Sequence, residues 1–113
     1  MGQYLSATIV TTAETSSSIT RQLQITYHST GAVTDSTNLF TVTGDWTAYS
    51  DSRPISIPYG GGSQVLYTSS ATFSKLYGTT QTKTWSASFS GVDYWGYTIY
   101  GSGYGNVPAR PWS

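Results

Sequence analysis

Polar and apolar residues alternate along most of this chain with a period of two. In residues 4–12, YLSATIVTT, Leu5, Ala7 and Ile9 fall on one side while Tyr4, Ser6 and Thr8 fall on the other, which is the pattern of a strand with one buried face. Residues 18–29, SITRQLQITYHS, repeat it with Ile19, Leu23, Ile25 and Tyr27 on the apolar side. Arg21 shares that side near the strand's start, where its head is expected to reach solvent. NLFTVTG at 38–44 reads as a short third strand closed by Gly44 and Asp45. RPISIPYGGG at 53–62 sets Ile55, Ile57 and Tyr59 on one face. Its two prolines mark an edge strand, because proline has no N–H for a ladder. In SQVLYTSSATFSK, residues 63–75, the inward set reads Val65, Tyr67, Ala71 and Phe73. TKTWSASFSG at 82–91 points Trp85, Ala87 and Phe89 inward and Thr84, Ser86 and Ser88 outward. YWGYTIYGSG at 94–103 puts Trp95, Tyr97 and Ile99 on one face and Tyr94, Thr98 and Tyr100 on the other.

About seven short strands with turn residues between them, and no helical period, predict an all-β fold. The expected architecture is an antiparallel β-sandwich of immunoglobulin or fibronectin III type, with a small barrel or jelly roll as the alternative. The length of 113 residues suits one domain. That domain is expected to span 1–107, with the Pro-rich NVPARPWS end supplying an exit segment over 108–113. Trp112, beyond the last proline, would touch a following domain or another subunit.

Charge changes this picture more than length does. Charged side chains are only 9% of the chain, against 15% aromatic, and the net charge is zero. Disordered chains have the opposite balance. No apolar run approaches the roughly 18 residues of a membrane span, so membrane insertion is not expected. Arg21, Arg53, Lys75, Lys83 and Arg110 are scattered, so no basic patch points to nucleic acid. Solubility has to come from Ser, Thr, Asn, Gln and Gly, a surface style common in extracellular and virion-surface β proteins. The chain has no cysteine, which excludes disulfides and thiolate metal sites. Residues 1–17 show neither a basic nor an apolar signal region, so the expected route outside is release by lysis in an assembled particle, the alternative being that Met1-Gly2 opens an excised domain.

Several segments together resemble the repeated immunoglobulin/fibronectin III-like β domain of siphophage minor structural (tail) proteins. They are SSSITRQLQITYHS, FTVTGDW, YTSSATFSK, GTTQTKTWSASFSG, YWGYTIYGSG and VPARP, which cover nearly the whole chain. The resemblance implies a virion structural or host-recognition role with no enzymatic residues to carry over. It implies other virion subunits as partners, as a homo-oligomer or assembly component. DWTAYSDSRPISIPYGGG departs from the pattern and reads as an elaborated loop.

The residues themselves offer little catalytic chemistry. Glu14, Asp35, Asp45, Asp51 and Asp93 each sit in a turn sequence beside Ser, Thr or Gly, where a carboxylate commonly bonds local backbone. His28, the single histidine, ends a strand and lacks a sharp nucleophile turn around it. Asp45 and Asp51 bracket a loop that offers carboxylates and carbonyls to calcium, but so thin a set leaves no metal or cofactor expected. YGGGSQ has neither the lysine nor the helix of a phosphate loop.

The aromatics are more informative. If Trp95, Tyr97 and Ile99 face the core, Tyr94 and Tyr100, with Tyr104 beyond, stand outside with glycines leaving their rings uncovered. Outward tyrosines of this kind stack on sugar rings or anchor protein contacts; alternatively they cover glycines of a neighbouring strand. Trp46, Tyr49 and Tyr59 form a second candidate patch around the elaborated loop. The candidate ligand-binding residues are therefore Tyr94, Tyr100, Tyr104, Trp46 and Tyr59, and the candidate ligand is a cell-wall or other host-surface polysaccharide.

Overall fold

The structure, a computed structural model, describes residues 2–90 and 98–112. Nine strands run through the described residues, and none of these residues is helical. They are β1 (Gln3–Glu14), β2 (Ser18–Ser29), β3 (Val33–Asp35), β4 (Leu39–Gly44), β5 (Tyr49–Asp51), β6 (Ile55–Ile57), β7 (Gly62–Ser74), β8 (Gln81–Ser90) and β9 (Thr98–Val107). The all-β expectation holds. The two strands not expected from the sequence, β3 and β5, are three residues long, too short to display an alternation.

The strands form a three-stranded sheet in the order β1-β2-β7, a four-stranded sheet in the order β5-β4-β8-β9, and a β3-β6 pair. All of these pairings are antiparallel. The two larger sheets stack face to face, an arrangement consistent with a β-sandwich. Between them Tyr27 from β2 meets Phe89 from β8, ring centroids 5.4 Å apart and planes 25° off parallel. Phe40 of β4 packs against both Phe89 and Tyr67. Leu23, Ile25, Tyr27, Phe40 and Phe89 are wholly removed from water, each contributing roughly 1.5–3 kcal/mol of transfer free energy. Ile55 and Ile57 of β6 join the same core. The Gln64 side chain stands in for a ladder there: it accepts from the Ser56 amide and donates to the Pro54 carbonyl.

Alternation predicts most inward residues, including Tyr67, Ala71 and Phe73 of β7, but it fails at Val65. Opposite Ile25 and Thr26 the register slips by one residue, so Leu66 is the extra residue of a β-bulge. Leu66 and Tyr67 are both buried while Val65, expected inward, is exposed. A bulge reverses the parity of a strand on one side of it.

The molecule is long, 54 × 21 × 19 Å, with a radius of gyration of 16.5 Å. A compact chain of this length would have a radius of gyration of about 13 Å. The cause is strand length: β1 and β2 each run 12 residues and β7 runs 13, and 12 residues extend about 40 Å. The Pro-rich end, expected to lead away from the domain, is tied to it. Arg110 donates its amide to Leu76 O (3.0 Å) and accepts from the Gly78 amide (3.1 Å).

Candidate binding surface

β8 and β9 pair over ten residues without a register shift, Ser88 opposite Tyr100 and Thr84 opposite Tyr104. Because Trp85, Ala87 and Phe89 enter the core, the cross-strand partners of the intervening residues are forced outward. Tyr100 and Tyr104 are accordingly 74% and 66% exposed. Four residues of extended strand set them about 13 Å apart. Beside Tyr100 a shallow depression of about 220 Å³ is lined by Thr41, Thr43, Ser86, Ala87 and Ser88. Threonine and serine hydroxyls border the Tyr100 ring.

Among the described residues no charged side chain lies at an outward position of this sheet: β4 contributes Leu39, Thr41 and Thr43, β8 Thr82 to Ser90 in alternate steps, and β9 Thr98, Tyr100, Ser102, Tyr104 and Asn106. The outward side of the β1-β2-β7 sheet is equally free of carboxylates and ammonium groups. It presents Tyr4, Ser6 and Thr8, then Gln22, Gln24, Thr26 and His28, with Thr20 bonded to Thr72 (2.8 Å). Among the described residues, charges are confined to ends, turns and inward positions. Lys75 pairs with Glu14 at one end (2.5 Å), Lys83 sits 5.3 Å from the Phe73 ring centre, and Arg53 lies 4.5 Å from that of Tyr49.

Of the acids among the described residues, Asp35 and Asp51 bond local backbone as expected, whereas Glu14 pairs with Lys75 and Asp45 reaches across to β8. Asp45 accepts the Thr84 amide on its carboxylate (2.7 Å) while giving its own amide to the Thr84 carbonyl (2.9 Å). Asp51 accepts from the Ser52 amide (2.8 Å), so the two carboxylates of the suspected calcium loop are each engaged with backbone. Burial pushes the Asp35 carboxyl up, but hydrogen bonds from the Asn38 side chain, the Thr37 amide and hydroxyl and the Ser36 amide outweigh it. The carboxyl is held below its ordinary value.

The second expected patch does not assemble. Trp46 is only 5% exposed, because the 45–48 turn folds over β7 and sets the indole edge-on against Phe73, centroids 5.4 Å apart. Tyr67 fastens that turn by donating its hydroxyl to the Thr47 carbonyl (2.5 Å). Tyr49 also turns inward, against Phe40 and Tyr67. Tyr59, 98% exposed, stands by itself at the turn after Pro58. Trp46 is thus a core residue and not a ligand platform. Tyr94, with Trp95, Tyr97 and Asp93, lies outside the described residues.

The glycines of β9 also play a different part from the one expected. Gly101, Gly103 and Gly105 take the alternate positions to Tyr100 and Tyr104, so their bare side faces inward. The Trp85 ring occupies the space over Gly101 and Gly103, and Ile9 and Arg21 approach Gly105. Arg21 consequently lies half-buried between the sheets with its Nε shielded from water. The inward glycine row was visible in the sequence as small residues at alternate positions, a sign of close approach.

One pairing was not foreseen. Ser6 Oγ lies 2.6 Å from His28 Nε2, and Tyr4 stacks on the imidazole at 4.3 Å with planes 7° apart. This is the nucleophile–base half of a triad. The carboxylates of Glu14, Asp35, Asp45 and Asp51 are all committed elsewhere, to Lys75, to Thr37 and Asn38, to Thr84 and to Ser52. Both contacts join the β1 start to β2.

Searches with the chain match no known protein family, no curated protein sequence and no solved structure.

Proposed function

We propose that this chain is a non-enzymatic structural module of a bacteriophage particle, a tail or particle-surface β-sandwich of immunoglobulin/fibronectin III type. It works by surface contact, with neighbouring virion subunits and with the host surface. The observation that carries the reading is the charge-free outward side of the β5-β4-β8-β9 sheet with Tyr100 and Tyr104 standing on it. Such a surface exerts no long-range attraction on nucleic acid or anionic lipid. It is suited to short-range contacts with partners that are themselves uncharged. The virion setting rests on the segments that resemble siphophage tail domains, and the elongated shape suits a spacer.

The row of tyrosines among serine and threonine hydroxyls favours a second reading, a carbohydrate-binding module. Tyrosine rings stack on the C–H faces of sugars while hydroxyls serve the sugar oxygens. The two readings are compatible in one virion protein. Immunogold labelling of purified particles with an antibody to the chain separates them. Labelled particles support the virion module. Unlabelled particles, with polysaccharide binding by the free protein, leave the carbohydrate-binding reading alone.

A further inference from the structure

A sheet edge left open is a template for another strand. Among the described strands, β1 and β7 end one large sheet and β5 and β9 the other. Three of these edges are guarded. β1 carries a bulge between Thr11 and Ala13 and closes on Glu14. β7 ends beside Lys75, and at its start Gln64 is bonded to the β6 segment. β5 is three residues long.

β9 has no such guard. Its ten residues, TIYGSGYGNV, include no proline and no charge, and no register shift interrupts them. In an antiparallel strand alternate residues turn both N–H and C=O away from the existing neighbour, so the far side of β9 presents a row of free backbone groups. A groove of about 340 Å³ runs between β9 and β1, along Gly101, Ser102, Gly103 and Tyr104 of β9 with Leu5 and Ala7 of β1 across from them. β1 packs on the inward side of β9, Leu5 over Gly101 and Ile9 over Gly105.

We propose that β9 pairs edge to edge with β9 of a second copy of this chain, antiparallel and centred on Ser102. This deepens the contact role argued above and rests on it. The sequence of β9 is self-complementary in that register. Tyr100 falls opposite the second copy's residue 104, and Thr98 opposite its residue 106. Each copy therefore contributes one tyrosine to each of two cross-strand aromatic pairs on the outward face. Directly opposed residues bring their Cβ atoms to about 4.5–5.5 Å, within stacking range for rings. On the inward face Gly101 falls opposite Gly103 of the second copy. With no side chain there, both Trp85 rings keep their places. The product is one continuous eight-stranded sheet with an uncharged outward face.

Sedimentation equilibrium of the full chain, combined with light-driven tyrosine coupling and peptide mapping, tests this. The expected result is a dimer whose dityrosine joins residue 100 to residue 104. Ser102 is exposed, so Ser102→Lys and Ser102→Glu should both fold, as circular dichroism would verify. Each places like charges face to face at the symmetry axis and should weaken the dimer by roughly tenfold or more. An equimolar mixture of the two variants should re-form it. A monomer at millimolar concentration overturns the proposal, as does a dimer that Ser102→Lys leaves intact or that couples through other tyrosines. A monomer found on labelled particles would sink the pairing alone. A dimer absent from particles would sink the virion setting and leave the pairing.

Discussion

The indole of Trp85 lies against Gly103 so closely that a β-carbon there would come within 2.8 Å of Nε1. The same ring would meet a β-carbon on Gly101 at 3.2 Å. Glycine is therefore required at these places by a neighbour's side chain, two strands being needed to define the contact. Gly103→Ala should displace Trp85 and cost about 1–3 kcal/mol, the usual penalty for overpacking. Chemical denaturation measures the loss, and a shift in tryptophan emission reports the moved ring. An unchanged midpoint would mean that Trp85 is not seated on β9.

Asn38 is buried and ties two loops together. It donates to Asp35 Oδ2 (3.0 Å) and to the Arg53 carbonyl (2.7 Å), and accepts from the Arg53 amide (2.7 Å). Asn38→Ala leaves the Arg53 backbone groups without these partners and should cost about 1–3 kcal/mol. Hydrogen exchange at the Arg53 amide should rise with it. An amide still protected in the variant would count against the clamp.

The Asp35 carboxyl is held below its ordinary value of 3.8. Folding therefore favours the ionised form. The resulting stabilisation is fully present above the unfolded-state value and is lost as pH falls through the lower folded value. Thermal melts from neutral pH downward should lose this contribution below about pH 4. In Asp35→Asn the acid-induced drop should be smaller. Identical acid limbs for the two proteins would remove Asp35 as a source.

Tyr100→Ala and Tyr104→Ala should leave stability within about 0.5 kcal/mol, since both rings stand in solvent. On the proposed function each should weaken attachment to host cells or to their cell-wall polysaccharide. Raising salt should not, because the face has no charges to screen. Whole-cell pull-downs at low and high salt, with the two variants beside the parent chain, check both statements. Attachment that collapses in salt would move the contact off this face.

Much of the fold was legible along the chain, and particular residues show why. Leu23, Ile25 and Tyr27, or Trp85, Ala87 and Phe89, announce their common face because the pleat sends alternate side chains to opposite sides. Val65 misleads because the bulge at Leu66 shifts parity, and nothing within β7 marks a slip that is defined only against β2. Of the candidate site, the outward placement of Tyr100 and Tyr104 follows from the same pleat, whereas Trp46 depends on Phe73, which lies far along the chain.

By itself, then, the sequence determined the strand class, the scarcity of charge and the turn chemistry of Asp35 and Asp51. These are properties of neighbouring residues and of composition. Only the tertiary structure decided that Trp46 is core, that the β9 glycines make room for Trp85, and that β9 is left with an unguarded edge. Each of those depends on which distant segment arrives alongside: the alternate glycines of β9 signal a close approach, but only the fold shows that Trp85 makes it.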